Sequence, residues 1–236
     1  TDNTYLINMA SNGGTTSSPY EIFKLDDSGT ELWRNFPGDG YAATHSLMNT
    51  NNLVLDAYTT SVADEFGIIT LAGIDNATGI TQWTRTFYDP SLLIDNTYPG
   101  YSLAANGACL SSMNDIYMVG SKSLMTEPLV GTPFQFIMKT DDLGNMIWSK
   151  TFSEGSFNQI IETSDGCFVV TGKSATSTGI LMMKFDSNGN SLWSQTFNQF
   201  TTSTGMDFHE TGDQGFIISG FAYEDASHQS YPYVIK

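Results

Sequence analysis

A hairpin that recurs four times constrains this chain more than any other feature. Its clearest copy is FDSNGNSLW, Phe185 to Trp193. The others are LDDSGTELW (Leu25 to Trp33), IDNATGITQW (Ile74 to Trp83) and TDDLGNMIW (Thr140 to Trp148). Each sets an Asp before a turn, a Gly within it and a Trp four residues after that Gly. Short hairpin loops collect Asp, Asn and Gly because these residues tolerate a left-handed backbone. Gly29, Gly79, Gly144 and Gly189 are therefore expected at positive φ. Asp26, Asp75, Asp141 and Asp186 are expected to accept hydrogen bonds from backbone N–H groups of their turns. Side chains alternate along a strand, so the fixed step from Gly puts Trp33, Trp83, Trp148 and Trp193 on equivalent faces. We read all four as scaffold that packs one sheet onto the next.

A second element precedes the hairpins. ETSDGCFVVTG (Glu162 to Gly172) matches ETGDQGFIISG (Glu210 to Gly220), SSMNDIYMVG (Ser111 to Gly120) is a looser copy, and the stretches around Leu53 and Tyr5 are looser still. The Trp spacings, from 33 to 83 to 148 to 193, suit a four-stranded unit with loops of variable length. Calling its strands A to D from the inside out, B is the run just named, C enters the Asp–Gly turn and D carries the Trp. Strand A is the short segment before B. Runs such as FVVTG, FIISG, FQFIM and ILMMKF are continuously apolar, which marks sheets covered on both faces. The predicted fold is all-β: a β-propeller of four-stranded antiparallel blades. Five blades are visible, at about 1–36, 41–87, 101–152, 157–197 and 205–236, within one domain or propeller segment covering 1–236. The first blade opens at strand B. The last closes at YPYVIK, a strand C whose Lys236 aligns with Lys24, Lys139 and Lys184. These two partial blades hold six strands between them and cannot merge into one, so we read the chain as a piece of a larger propeller in preference to a five-bladed ring.

Charge limits the partners. The chain has 236 residues, with 25 acidic against 9 basic side chains and a net charge of −16. Such a field repels phosphate backbones and argues against nucleic acid or an anionic membrane as partner. No apolar run approaches the ~20 residues of a membrane-spanning helix. The balance fits an exported protein, secreted or at the cell surface. Cys109 and Cys167 are too few for a disulfide framework, and we expect two buried free thiols.

On these residues the chain resembles the secreted bacterial and archaeal propeller repeats of the form DGGYIIAG…LIKLDSNGNVLWSKTF. The matching stretches are SDGCFVVTG with ILMMKFDSNGNSLWSQTF, GDQGFIISG with YVIK, and TPFQFIMKTDDLGNMIWSKTF. The resemblance covers residues 134 to 236 well and the N-terminal half loosely. It implies an exported surface protein without an assigned activity. The second hairpin also resembles the tryptophan-docking motif of pyrroloquinoline-quinone propellers. Asp75, Thr78, Gly79 and Trp83 fit that motif, while Gly73 stands where it prefers Ala. The adjacent cysteine pair of the quinoprotein alcohol dehydrogenases is absent, so this likeness implies architecture and not the cofactor. Thr140, Asp142 and Gly144 resemble the start of a sialidase Asp-box. The three arginines of such an enzyme are missing, since only Arg34 and Arg85 occur.

Ligands of propellers are expected where D–A and B–C loops meet. The longest D–A loop, Tyr88 to Tyr101, offers Tyr88, Asp89, Asp95, Tyr98 and Tyr101, a set able to stack on a sugar and accept its hydroxyls. The last B–C loop, Tyr223 to Tyr231, offers Glu224, Asp225 and His228, donors suited to a divalent cation. Its spacing matches no metal loop. The Asp-rich turns resemble calcium loops but lack the series of acids that an EF-hand needs, so turn-forming is their expected role; no metal or cofactor is predicted, with calcium the ion to consider. His45, Asp207, His209 and Glu210 fall near strand A, where an acid beside a His could serve as base and orienter. No nucleophile accompanies them, and the recurrence of Glu210 as Glu162 argues for a structural role. The function expected is a non-catalytic binding or display module for glycan or protein. The alternatives are a glycoside hydrolase using inner-strand carboxylates, or a purely structural segment of a larger surface assembly.

Overall fold

The computed structural model describes residues 4–10, 19–39, 42–62, 66–87, 93–94, 98–99, 101–124, 134–153, 155–175, 179–198, 202–224 and 229–236. All the regular structure among them is β. The first sheet is β1 (Thr4–Ala10), β2 (Pro19–Asp26) and β3 (Glu31–Asp39). The second is β4 (Ala42–Met48), β5 (Leu53–Val62), β6 (Phe66–Asp75) and β7 (Thr81–Phe87). A two-stranded ribbon comes next, β8 (Leu93–Ile94) with β9 (Tyr98–Pro99). The third sheet is β10 (Tyr101–Leu110), β11 (Ile116–Leu124), β12 (Phe134–Thr140) and β13 (Met146–Phe152). The fourth is β14 (Ser156–Glu162), β15 (Phe168–Lys173), β16 (Ile180–Phe185) and β17 (Ser191–Phe197). The fifth is β18 (Thr202–Glu210), β19 (Phe216–Glu224) and β20 (Gln229–Ile235). Each sheet keeps its strands in chain order, as blades do, and the first and last have three strands. No helix among the described residues is long and apolar enough to cross a membrane.

The chain divides into two compact units. Unit 1 is Thr1–Ala105, Lys122–Gly131 and Thr140–Ile147; unit 2 is Asn106–Ser121, Thr132–Lys139 and Trp148–Lys236. Sheet stacking forms the core in each. In unit 1, Ile22, Trp33 and Leu6 of the first sheet pack on Val54, Tyr58, Ala72 and Ile74 of the second. In unit 2, Cys109, Tyr117, Val119 and Ile137 pack on Phe168, Val170, Leu181, Met183 and Phe185 of the fourth sheet. The Tyr117 ring stacks on Phe168 with centroids 3.7 Å apart. The opposite face of the fourth sheet, with Val169, Ile180 and Met182, meets Phe208 and Ile218 of the fifth. The continuously apolar B and C runs are thus buried on both faces, and β15 and β16 are nearly solvent-free along their length.

The hairpin Trp explains how successive sheets register. Gly79 and Gly189 both have φ of 72°. A Cβ on Gly79 would lie 2.7 Å from the Trp33 indole, and one on Gly189 would lie 2.7 Å from that of Trp148. Trp83 covers Gly144 in the same way, at 2.8 Å. The indoles of Trp33, Trp83 and Trp148 therefore each lie on the turn glycine of the next hairpin. Positive φ and the close approach both require Gly at these turns. The Trp33 Nε1–H also donates to the Asn76 carbonyl at 2.8 Å, and the buried Lys24 ammonium donates to the Asn76 side chain at 2.9 Å. Gly73 pairs with Trp83 across the strands and leaves no room for a Cβ beneath that indole. Trp193 departs from the expected scaffold role. It is 38% exposed, because no further turn glycine covers it among the described residues.

Gly29 has φ of 81°, but a Cβ placed on it would meet nothing within 4 Å, so it separates the two requirements. Gly29→Ala should cost about 1–2 kcal/mol from backbone strain alone. Gly189→Ala should add about 1–3 kcal/mol for overpacking against Trp148. Urea midpoints of the two variants should fall in that order; equal losses would show that the indole contact contributes nothing.

Candidate functional site

The sugar-stacking residues expected in the D–A loop sit on a scaffold that is only partly described. β8 and β9 form a ribbon inside the loop, pairing Leu93 with Pro99 and Ile94 with Tyr98. Tyr98 therefore lies on a short ordered strand, and Tyr101 opens β10. Tyr88, Asp89 and Asp95 lie outside the described residues, as do the side chains of Tyr98 and Tyr101. This loop belongs to unit 1. In unit 2, Glu224 pairs with Gln229 and closes the β19–β20 hairpin. Asp225 and His228 at its tip, and the Glu224 side chain, lie outside the described residues.

The inner strands are described in detail, and here the acids are engaged. Glu162 on β14 accepts the Ser112 N–H at 2.7 Å and the Ser112 hydroxyl at 3.0 Å, spanning from the fourth sheet to the A–B turn of the third. Glu210 on β18 repeats this, accepting the Ser164 N–H at 2.7 Å and its hydroxyl at 3.0 Å. Each carboxylate is a clasp on the turn of the preceding sheet. A second tie comes from asparagines not singled out in the sequence. Asn106 Nδ2 donates to the Phe157 carbonyl at 2.8 Å, and Asn158 Nδ2 to the Gly205 carbonyl at 2.8 Å. Asn158 stands at a register shift of β14, which turns its side chain out of the ladder. The recurrence of Asn at the same place in β10 and β14 was the legible signal. In β18 that place holds Met206, also at a register shift.

Asp207 and His209 share the opposite arrangement. They lie two apart on β18, paired across the ladder with Ser219 and Ile217, and both are exposed. Asp207 accepts the N–H of its neighbour Phe208 at 2.8 Å. The His45 side chain lies outside the described residues. Among the described residues no group of three or more His, Cys, Asp or Glu side chains is placed to hold a metal. Arg34 pairs with Glu21 and Glu31, and Arg85 lies over the Trp83 ring at 5.6 Å.

The turn acids form a second electrostatic set. Asp186 is held below its usual range by the N–H and the side-chain amide of Asn190, each 2.8 Å away. Asp75 is held down by the Thr78 hydroxyl and N–H, and Asp26 by the Ser28 hydroxyl and the Thr30 N–H. Partial burial pushes Asp141 up, but the two donors of Asn145 outweigh it and lower the group. Asp165 is held far below the ordinary carboxylate range by the Lys184 ammonium at 2.6 Å and the Thr163 hydroxyl. Asp213 is held down likewise by the Thr211 hydroxyl and by Lys236. Both cysteines are free, and burial pushes both thiols up, so they stay protonated. Cys109 is buried as expected; Cys167 is only half-buried, because its turn opens to solvent.

No family model matches the sequence, and no curated protein does. Solved structures do. A protein of unknown function from Dyadobacter fermentans aligns over 99% of this chain and 75% of its own, with 12% identity and a TM-score of 0.63. The exo-β-1,3-galactanase 1,3Gal43A of Clostridium thermocellum aligns over 99% of this chain and 56% of its own, with 10% identity and a TM-score of 0.56. The quinohemoprotein alcohol dehydrogenase of Comamonas testosteroni aligns over 99% of this chain and 46% of its own, with 10% identity and a TM-score of 0.54. At such identities the likeness concerns the fold alone. That fold is the β-propeller.

Groups whose folded-state pKa is depressed stabilise the fold above their unfolded pKa, near 3.9 for Asp, and lose that contribution as pH falls. Urea midpoints should therefore hold steady from pH 7 to about 5 and decline below about pH 4. Asp165→Asn should flatten the decline, and an unchanged slope would remove its carboxylate from the account. Separately, Glu210→Gln should cost about 1 kcal/mol in the same assay, the worth of a hydrogen bond that loses its charge assistance.

Proposed function

We propose that this β-propeller chain is a non-catalytic binding or display module working outside the cell, on a secreted or surface protein, with a glycan or a protein as ligand. The observation that supports this most is the engagement of Glu162 and Glu210. These are the inner-strand carboxylates that a hydrolase would keep for its substrate, and both are tied to the neighbouring turn. A general acid must reach the glycosidic oxygen and a second carboxylate must face it across the bond. A carboxylate that clasps two donors of a turn does neither. Asp207 is the acid of β18 outside that pattern, and it carries the alternative reading as a hydrolase.

The ligand-contacting residues in this reading are Tyr88, Asp89, Asp95, Tyr98 and Tyr101 of one loop, with Glu224, Asp225 and His228 of the other. Tyrosine rings offer a flat apolar surface with a polar tip, and neighbouring carboxylates accept hydroxyl protons, so the first loop suits a sugar. The net charge of −16 disfavours nucleic acid and anionic lipid. The reading invokes no cofactor, and a cation at Glu224, Asp225 and His228 would be an addition to it.

The test is a glycan array run beside a panel of chromogenic glycosides. A binding module should give saturable binding that drops at least tenfold in the Tyr98→Ala, Tyr101→Ala double variant, with no turnover. Turnover that disappears in Asp207→Asn would replace this reading with a hydrolase. Neither binding nor turnover, with a protein-interaction screen also blank, would leave the purely structural segment.

A further inference from the structure

The four hairpins differ at the residue before the turn glycine. Ser28, Thr78 and Leu143 hold that place in three of them, and Asn188 holds it in the fourth. An Asn there sets an electrophile, its side-chain Cγ, beside the least hindered nitrogen a main chain offers, because Gly has no Cβ. Asn is a thermolabile residue on this account. In the turn the Asn188 N–H donates to Asp186 Oδ1 at 2.9 Å, and the Gly189 N–H donates to the Asp186 carbonyl at 2.9 Å. The Asn188 side-chain amide is exposed and makes no hydrogen bond among the described residues. Gly189 is buried under the Trp148 indole, with the Lys150 stem beside it, and the Lys150 ammonium donates to Asn190 Oδ1 at 2.9 Å. The electrophile is free and the nucleophile is engaged, so ring closure waits for the turn to open.

Two other pairs of this kind lie among the described residues, and neither shares that arrangement. Asn106–Gly107 sits within β10, where the Asn106 amide donates to the Phe157 carbonyl at 2.8 Å. A Cβ on Gly107 would lie 2.6 Å from the Asn158 carbonyl oxygen, so freeing this pair means parting two packed strands. Turns open at far lower cost than packed strands. Asp165–Gly166 carries a carboxylate held ionised by the Lys184 ammonium at 2.6 Å and the Thr163 hydroxyl at 2.7 Å, and an ionised carboxylate is a poor electrophile.

We infer that Asn188 is the residue at which this chain deamidates spontaneously, at a rate set by opening of the turn beneath Trp148, and that the isoaspartyl product breaks the indole–glycine contact. In the opened turn the Gly189 nitrogen gives up its proton and attacks Asn188 Cγ. A C–N bond forms, the Cγ–Nδ2 bond breaks, and ammonia leaves with that proton, giving a cyclic succinimide. Water then adds to one of the two ring carbonyls. Opening at Cγ restores the main chain and leaves an aspartate. Opening at the main-chain carbonyl leaves an isoaspartyl linkage, with an additional methylene in the backbone. Asp186 accepts N–H groups on both sides of that linkage, from Asn188 at 2.9 Å and Asn190 at 2.8 Å. A longer main chain between them cannot keep both bonds, and Gly189 is carried from its place under the indole.

The experiment is peptide mapping of the full chain aged in mildly alkaline buffer, with isoaspartate counted by enzymatic methylation. Isoaspartate should accumulate at Asn188 while Asn106 and Asp165 stay intact, and Asn188→Ser should abolish it. Trp148→Leu should speed the reaction about tenfold by easing the opening. Lys150→Ala, which leaves the indole in place, should speed it less, and it serves as the gate test if Trp148→Leu does not fold. The purified isoaspartyl form should have a lower urea midpoint than Asn188→Asp, which carries the same charge on a normal main chain. A chain that ages first at Asn106, or not at all at Asn188, overturns the assignment. A rate indifferent to both gate variants overturns the role of the turn. A midpoint equal to that of Asn188→Asp overturns the loss of the contact.

Discussion

The contact on which the architecture depends is that of a flat indole on the α-carbon of a turn glycine. Trp33 on Gly79, Trp83 on Gly144 and Trp148 on Gly189 each join the last strand of one sheet to the hairpin of the next. Apolar faces alone would let two sheets slide past one another, because burial is non-directional. An indole that fits only where a side chain is missing fixes the offset. In unit 2 two further ties act on the same stack at other strands: the glutamate clasps on the A–B turns and the asparagine bonds of the inner strands. Three kinds of contact at separate heights leave little freedom between neighbouring sheets.

The hairpins were legible because their chemistry is local. An Asp that caps N–H groups two and four residues on, followed by a Gly at positive φ, is written within five letters, as Asp186 to Asn190 show. The apolar B and C runs were legible for a related reason, since burial on both faces removes the polar alternation that would hide them. What the letters did not carry was the partner across a sheet boundary. Glu162 and Glu210 recur visibly, yet the donors they accept from, on Ser112 and Ser164, are 50 and 46 residues away. Asn106 and Asn158 were missed for the same reason. The setting of each indole depends on the hairpin after it, so four like motifs yielded three covered indoles and one exposed. Of the candidate site, the strand termini that frame the two loops are placed. The loop side chains lie outside the described residues and outside the repeat, so periodicity says little about them.

The use of charge separates scaffold from function. Lys139, Lys184 and Lys236, at the C strands, pair with Asp115, Asp165 and Asp213 of the A–B turns, and four further aspartates close hairpin turns. Most described acids therefore answer to their own sheet or the next one. A frame that satisfies its charges internally tolerates changes in its loops, and in such folds recognition resides in loops carried on rigid elements.

The ties between sheets all have a direction. A Trp waits for the Gly of the hairpin after it, and the Ser of an A–B turn waits for the Glu of the strand after it. On the ribosome, where the N-terminal part of a chain is made first, the newest sheet would always be the one left unlocked. Each hairpin that emerges then completes its predecessor rather than itself. Folding in that order would run one repeat behind synthesis.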